Sequence, residues 1–168
     1  KISALGPVMV AANGKRPSSR GYYIELAIYL SLHRAHGASK EQVQDAMGCP
    51  GDRVRKDMAI LREWLGGYEQ IPDARKSAAA KQRGLNVYQL SDRPLFDYEL
   101  FRQLRARGEA RGGKRGQRDL LTAMQLVRGV PFDQRRPGGY EWLATGQRYD
   151  EYASYAVSDV AAVAATRL

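Results

Sequence analysis

The stretch SKEQVQDAMGCPGDRVRKDMAILREWLG, residues 39–66, decides the fold of this chain. It opens with a capping box, because Ser39 can accept a hydrogen bond from the third helical N–H while the side chain of Gln42 reaches back to the cap. The helix that follows is short, since Gly48 suits the left-handed conformation that ends a helix. Residues 49–51, Cys-Pro-Gly, then predict a tight turn. The stretch therefore predicts two helices joined by a turn.

The second of these helices is predicted over residues 53–65, with Asp52 as its N-cap and two glycines, Gly66 and Gly67, at its end. Apolar side chains at helical spacing are expected to form its buried stripe: Val54, Met58, Leu61 and Leu65. The opposite side carries four cations: Arg53, Arg55, Lys56 and Arg62. We expect the first three, together with Ala59, to be exposed to solvent.

Upstream of this stretch, residues 2–12 predict short β-strands that are interrupted at Gly6 and Pro7. The pair Asn13 and Gly14 is a strong signal for a two-residue hairpin turn. Residues 20–36 then repeat apolar side chains at helical spacing and predict a largely buried helix that ends at Gly37.

Downstream, residues 68–71 and 85–90 predict two extended segments, which we interpret as a hairpin with a long tip over residues 72–84. Four cations lie in this tip: Arg75, Lys76, Lys81 and Arg83. We expect them to be mobile and exposed, because a charged, alanine-rich tip has nothing apolar to bury.

After a linker over residues 91–94, the remaining chain predicts helices. Their expected bounds are residues 97–110, 117–128 and 147–167, with a short turn at residues 140–143. Phe132 and Trp142 lie in or beside Gly- and Pro-containing breaks, and we expect both to be buried. We expect this part to pack against the first part through Tyr88, Leu90 and Leu95. The sequence thus divides into residues 1–92 and residues 93–168.

Composition narrows the class of partner. The chain has 168 residues, and its 27 Lys and Arg exceed its 18 acids, for a net charge of +9. Such an excess favours a polyanionic partner, which is nucleic acid or, less often, an anionic lipid surface. The larger share of it falls in residues 1–93, which hold 15 Lys or Arg and 9 acids. Cys49 is the only cysteine, so an internal disulfide is excluded, and we expect a cytoplasmic location.

The predicted order of elements is strands, helix, short helix, turn, helix and hairpin. This is the order of a winged helix-turn-helix with added N-terminal β-strands. A helix of about 13 residues is roughly 20 Å long, which is enough to lie in a DNA major groove. Its N-terminal cations suit phosphates and base edges, and a basic wing suits the adjacent backbone.

Seven segments carry a resemblance to a known family: residues 5–7, 26–33, 38–43, 60–66, 87–90, 97–101 and 123–132. Their sequences are LGP, LAIYLSLH, ASKEQV, ILREWLG, VYQL, DYELF and AMQLVRGVPF. In this order they resemble the actinobacterial antibiotic-regulatory proteins, which join an OmpR-type winged helix to a helical bacterial transcriptional activator domain. The resemblance implies a divergent member of that family with a shortened activator domain.

The expected fold is therefore α+β, with a winged helix-turn-helix over residues 1–92 and an all-α, tetratricopeptide-like domain over residues 93–168. The expected function is transcription regulation by binding double-stranded DNA. The candidate DNA-binding residues are Arg53, Arg55, Lys56, Arg62, Arg75, Lys76, Lys81 and Arg83. The helical domain is expected to bind RNA polymerase or another protein.

Two alternatives stay open. The first is a non-catalytic protein-interaction module built on a winged-helix scaffold, as the cytoplasmic C-terminal part of a membrane-tethered protein. The second concerns the arginine-rich residues 102–118, which form either a solvated helix face or a second phosphate-contacting patch. We expect no catalytic residues, no metal, no cofactor and no small-molecule substrate, so the chain is not expected to be an enzyme.

Overall fold

A computed structural model describes residues 1–166 and shows an α+β fold. The small sheet is antiparallel, with Ile2 opposite Val10 and Ser3 opposite Met9. The elements are β1 (Ile2–Ser3), β2 (Met9–Val10), α1 (Arg20–Leu32), α2 (Lys40–Met47), α3 (Gly51–Leu65), α4 (Ala78–Arg83), α5 (Asp97–Arg111), α6 (Gly113–Met124), α7 (Glu141–Thr145) and α8 (Tyr149–Thr166). The expected fold class is confirmed at this level.

The capping box that opens α2 is confirmed. The hydroxyl of Ser39 accepts a hydrogen bond from the Gln42 backbone N–H at 3.2 Å, and Gln42 Oε1 accepts one from the Ser39 N–H at 2.8 Å. Gly48 ends the helix with a φ of 62°, in the left-handed region. The predicted cap of α3 is wrong, because Pro50 holds the N-cap position. Asp52 lies instead in the first turn, where a negative charge interacts favourably with the helix dipole.

The buried side of α3 agrees with the predicted stripe for three of its four residues. Val54, Met58 and Leu61 are buried, whereas Leu65 is only half-buried at the end of the helix. Two further side chains of α3 are buried that the stripe did not include. Trp64 adds an aromatic ring to the core, and Asp57 adds a carboxylate.

The predicted hairpin turn at Asn13 and Gly14 is wrong, because β1 and β2 have already paired before these residues. Gly14 instead donates its backbone N–H to the carbonyl oxygen of Trp64 at 3.0 Å. A Cβ at this position would overlap the carbonyl oxygen of Glu63. Glycine is required here because two backbones approach closely, not because a turn needs a positive φ.

The predicted two-stranded hairpin after α3 is also wrong. Residues 72–84 contain a short helix, α4, whose N-cap Ser77 accepts a hydrogen bond from the Ala80 N–H at 3.1 Å. Ala79, Ala80 and Val87 form a small buried cluster beneath it. We expected the alanine run of this tip to have nothing apolar to bury, but Ala79 and Ala80 pack against Val87. Residues 68–91 form what we call the basic loop.

The bounds of the first helix of the second part, α5, agree with those expected, since it begins at Asp97 and ends at Arg111. The expected end of the last helix, residue 167, lies outside the described residues. The second helix of this part, α6, begins at Gly113 and not at residue 117, and it ends at Met124 and not at residue 128. It ends early because the chain then runs beside the N-terminal strands. Phe132 donates its N–H to the Ala4 carbonyl at 2.7 Å, and Arg128 donates to the Leu5 carbonyl at 2.7 Å.

Side chains from both parts of the chain contribute to one main apolar cluster. Phe132 is buried as expected, but Trp142 is only half-buried. Leu95, expected to pack between the parts, is 46% exposed. The buried carboxylate of Asp97 links the parts instead, since it accepts hydrogen bonds from the Ala4 N–H at 2.8 Å and the Leu5 N–H at 3.2 Å.

Within residues 1–166, none of the helices combines the length and the apolar character that a membrane span requires.

Candidate nucleic-acid interface

A groove of about 530 Å³ runs between α3 and the basic loop. One wall is the exposed side of α3, which presents Arg55, Ala59 and Arg62. The facing wall is the first part of the basic loop, where Arg75 lies. Lys40, the first residue of α2, lies at the same groove. Four cations from α2, α3 and the basic loop thereby line one groove.

Arg62 has a structural role in this groove. Its Nε donates to the carbonyl oxygen of Ile71 at 2.7 Å, and one terminal nitrogen donates to the Pro72 carbonyl at 3.5 Å. The same guanidinium lies over the ring of Tyr68, 4.3 Å from its centroid. Arg62 therefore fixes the start of the basic loop against α3, and its side chain is half-buried as a result.

The other cations of α3 differ in their surroundings. Arg55 and Lys56 are exposed, and among residues 1–166 no carboxylate lies within ion-pair distance of either. Arg53 is exposed as expected, but its Nε lies 3.4 Å from a carboxylate oxygen of Asp57. Its guanidinium also lies 4.9 Å from the ring centroid of Tyr22 on α1. Arg53 thus faces α1, away from the groove.

The cations of the basic loop are all exposed, as predicted, but they do not lie together. Arg75 is held in a turn, in which the Asp73 carboxylate accepts its backbone N–H at 2.9 Å. That hydrogen bond, together with the charges of Arg75 and Lys76, lowers the pKa of Asp73 below its ordinary value. Arg83 donates to the carbonyl oxygen of His36 at 3.1 Å, beyond the carboxyl end of α1.

The eight candidate residues therefore divide into two sets. Arg55, Arg62 and Arg75 line the groove. The remaining five lie outside it: Arg53, Lys56, Lys76, Lys81 and Arg83. Sequence reasoning missed Lys40 and Tyr68, which also line the groove. The position of Lys40 directly after the capping serine was a usable signal for it, since that position fixes it at the first turn of α2.

Asp57 is a second feature that sequence reasoning missed. This buried carboxylate accepts hydrogen bonds from the hydroxyls of Tyr22 at 2.6 Å and Tyr23 at 3.0 Å. Burial and the hydrogen bond to Asp57 raise the pKa of both phenols, that of Tyr23 to about 12. Both therefore stay protonated donors at neutral pH, so α3 is fixed to α1 beneath the exposed cations.

A third missed feature is the buried carboxylate of Glu25 on α1. It pairs with Arg136, accepts the Tyr140 backbone N–H at 2.7 Å and accepts the indole N–H of Trp142 at 3.0 Å. These partners follow more than a hundred positions later in the chain. Glu25 therefore fastens the segment that leads into α7 onto the helix that supports α3.

The arginine-rich residues 102–118 are partly used within the fold. Arg107 and Arg111 both reach Asp119 on α6, at 2.7 Å and 3.2 Å. Arg105 pairs with Glu109 at 2.8 Å and with Asp159 on α8 at 3.5 Å. At least these three arginines are paired with acids on α5, α6 or α8 and are therefore less available to phosphates. This observation favours the solvated helix face over a phosphate-contacting patch.

No family model matches the chain, and neither a curated protein sequence nor a solved structure shows significant similarity to it.

Proposed function

We propose that this chain is a non-catalytic regulator of transcription that binds duplex DNA through α3 and the basic loop. One observation carries the proposal: Arg55 on α3 and Arg75 on the basic loop line one groove and are both exposed. Within the described residues, neither side chain has a carboxylate at ion-pair distance. Exposed cations that the fold leaves unpaired are available to phosphates and base edges.

The size of α3 supports this proposal. Its 15 residues correspond to a length of about 22 Å, and the diameter of an α-helix, about 10–12 Å, fits a major groove about 12 Å wide. Arg55 and Lys56 lie in its first two turns, the part of a recognition helix that contacts bases. The basic loop would then place Arg75 and Lys76 beside the adjacent phosphate backbone.

We further propose that residues 1–92 form a divergent winged helix and residues 93–168 a shortened activator domain of the antibiotic-regulatory-protein kind. Support comes from the order of α1, α2 and α3 and from one antiparallel bridge. In it, Ala38 and Tyr88 exchange two backbone hydrogen bonds of 2.8 Å. This bridge ties the segment before α2 to the segment that returns from the basic loop, as a minimal wing would.

The test is a titration of the whole chain against a mixed duplex library at about 50 mM and 200 mM salt, with sequencing of the bound fraction. We expect a steep loss of affinity with salt and enrichment of a sequence motif. Binding without enrichment would contradict a sequence-reading regulator. Absence of binding at low salt would overturn the proposal.

A protein-interaction module is the second candidate, and it has an observation in its favour. Tyr68 is 65% exposed and Leu85 is 56% exposed, and both belong to the basic loop. Glu41 and Asp73 also line the groove and reduce its positive charge. Exposed aromatic and aliphatic side chains beside mixed charges suit a protein surface better than a phosphate backbone. Failure of the DNA titration would favour this candidate.

A further inference from the structure

A different cavity lies on the other side of α2, between the end of α1 and α7. Its volume is about 620 Å³. Its walls include five aromatic side chains: Tyr29, His33, His36, Trp142 and Tyr149. None of the proposed DNA-binding residues lines it. Its size falls in the range of pockets that hold small molecules.

The charge of this cavity is opposite to that of the chain. Two exposed carboxylates line it, Asp45 on α2 and Glu141 on α7. None of the described residues that line the cavity is Lys or Arg. By contrast, the groove beside α3 contains Arg55, and the hollow between α5 and α8 contains Arg105. A locally negative site in a chain of net charge +9 is a selective environment for a cation.

The aromatic walls are fixed in place before any ligand arrives. Trp142 is held by its indole hydrogen bond to the buried Glu25, and it meets the ring of Tyr29 edge-on with centroids 5.2 Å apart. Tyr29 in turn lies 4.2 Å from the ring of His33. Such ordering removes part of the entropy cost of assembling an aromatic site around a ligand.

The orientation of the His33 ring is fixed by a hydrogen bond. Its Nδ1 lies 2.8 Å from the Tyr29 carbonyl oxygen. A carbonyl oxygen can only accept, so Nδ1 donates this hydrogen bond. His33 therefore belongs, with Tyr29 and Trp142, to the aromatic walls that are set before a ligand binds.

We propose that this cavity binds a small organic cation, namely an ammonium or guanidinium group on a short carbon chain. Aromatic faces attract such cations, and Asp45 and Glu141 supply the opposite charge. The site is independent of the groove beside α3, so a failure of DNA binding leaves this proposal untouched.

The experiment is a titration of the whole, ¹⁵N-labelled chain with choline chloride and with arginine methyl ester at constant ionic strength. Sodium propionate serves as the anionic control. The chain has two tryptophans, and their indole N–H signals report separately. We expect the cations to shift the Trp142 signal in a saturable way. The signal of Trp64, which is 2% exposed and outside this cavity, should stay in place.

Two charge variants and a matched control locate the site. Asp45→Asn and Glu141→Gln should each weaken cation binding by about fivefold, in line with the loss of one favourable charge contact. Glu41→Gln removes an exposed carboxylate from the same helix, α2, but outside this cavity. It should bind the cations as the parent chain does.

Three outcomes would overturn the proposal. One is that neither cation shifts the Trp142 signal at concentrations up to about 50 mM, because a built site binds its ligand more tightly than that. Another is an equal shift with propionate. The third is an Asp45→Asn and Glu141→Gln double variant that binds like the parent. Both carboxylates are exposed, so loss of folding is not expected to obscure the result.

Discussion

Two regions of this molecule are rich in arginine and lysine, and the fold uses them differently. On α5, three arginines have acid partners: Arg105 pairs with Glu109 at i and i+4, and Arg107 and Arg111 both pair with Asp119 on α6. On α3 and the basic loop, the exposed Arg55 and Arg75 have no such neighbour within the described residues. A count of cations therefore does not identify a binding surface, whereas the positions of the acids around them do.

The two regions also differ in how they are held together. The pairing of α5 with α6 depends on glycines that let the backbones meet, Gly108 and Gly116. The basic loop instead depends on Arg62, which holds its start, and on Ser77, which caps its helix. Packing in the first region is therefore sensitive to added volume, and the second is sensitive to lost hydrogen bonds.

The largest effect is expected for Gly116→Ala. A Cβ on Gly116 would overlap the carbonyl oxygen of Gly108, so α5 and α6 would have to separate. We expect the free energy of unfolding to fall by about 3 kcal/mol, as overpacking of a tight contact does. Urea denaturation measures this, with Thr122→Ala on the exposed side of α6 as the control. Equal stability of the two variants would show that the close approach is not essential.

The next effect concerns DNA binding by α3. Replacement of Arg55 by Ala should reduce the affinity for the selected duplex by about 1–3 kcal/mol, if this side chain reads a base. Arg102→Ala is the matched control, since it removes an exposed arginine from α5. Binding measured by fluorescence anisotropy should distinguish them. An Arg55→Ala chain that binds like the parent would remove this residue from the proposed interface.

How far the sequence predicted this fold depended on the range of each interaction. The capping box of Ser39 and Gln42 was predicted correctly because both partners lie within one turn. The hairpin at Asn13 and Gly14 was wrong because Gly14 meets a carbonyl fifty positions later. Sequence motifs predict the structure correctly where contacts between neighbouring residues determine it. They mislead where a residue is constrained by a backbone segment far away in the sequence.

The candidate site shows the same limit. The exposed face of α3 followed from helical periodicity, and Arg55 and Lys56 were correctly expected on it. That Arg62 holds the basic loop was not predictable, because the orientation of its guanidinium depends on where the carbonyl of Ile71 lies. The buried Glu25 looked like an ordinary polar position, since its partners come from the other end of the chain.

A smaller effect is expected for the basic loop. Neutralising Arg75 and Lys76 together, each to Gln, should lower the dependence of log affinity on log salt by about 2. The control is the pair Lys114→Gln and Arg115→Gln, which removes the same charge from exposed positions of α6. If the control lowers the slope equally, net charge and not the position of the basic loop governs binding.

The smallest effect on DNA binding is expected where the cations are already paired. Arg107→Gln combined with Arg111→Gln should leave DNA affinity and its salt dependence unchanged, because both arginines already form ion pairs with Asp119. The double variant should instead change stability. Hydrogen bonds from Arg107, and then the charges of both arginines, hold the pKa of Asp119 below its ordinary value of 3.8.

A carboxyl whose pKa is lower in the folded state stabilises the fold above its unfolded pKa, and this contribution disappears as the pH falls through the folded value. The parent chain should therefore be more stable than the double variant at neutral pH, and the difference should shrink as the pH falls. Urea denaturation at about pH 7 and about pH 2 measures it, on either side of the ordinary aspartate range. A difference of the same size at both pH values would show that the two arginines act by packing and not through the charge of Asp119. A loss of DNA affinity in the same variant would show instead that the cations of α5 belong to the interface, and the contrast between the two arginine-rich regions would fail.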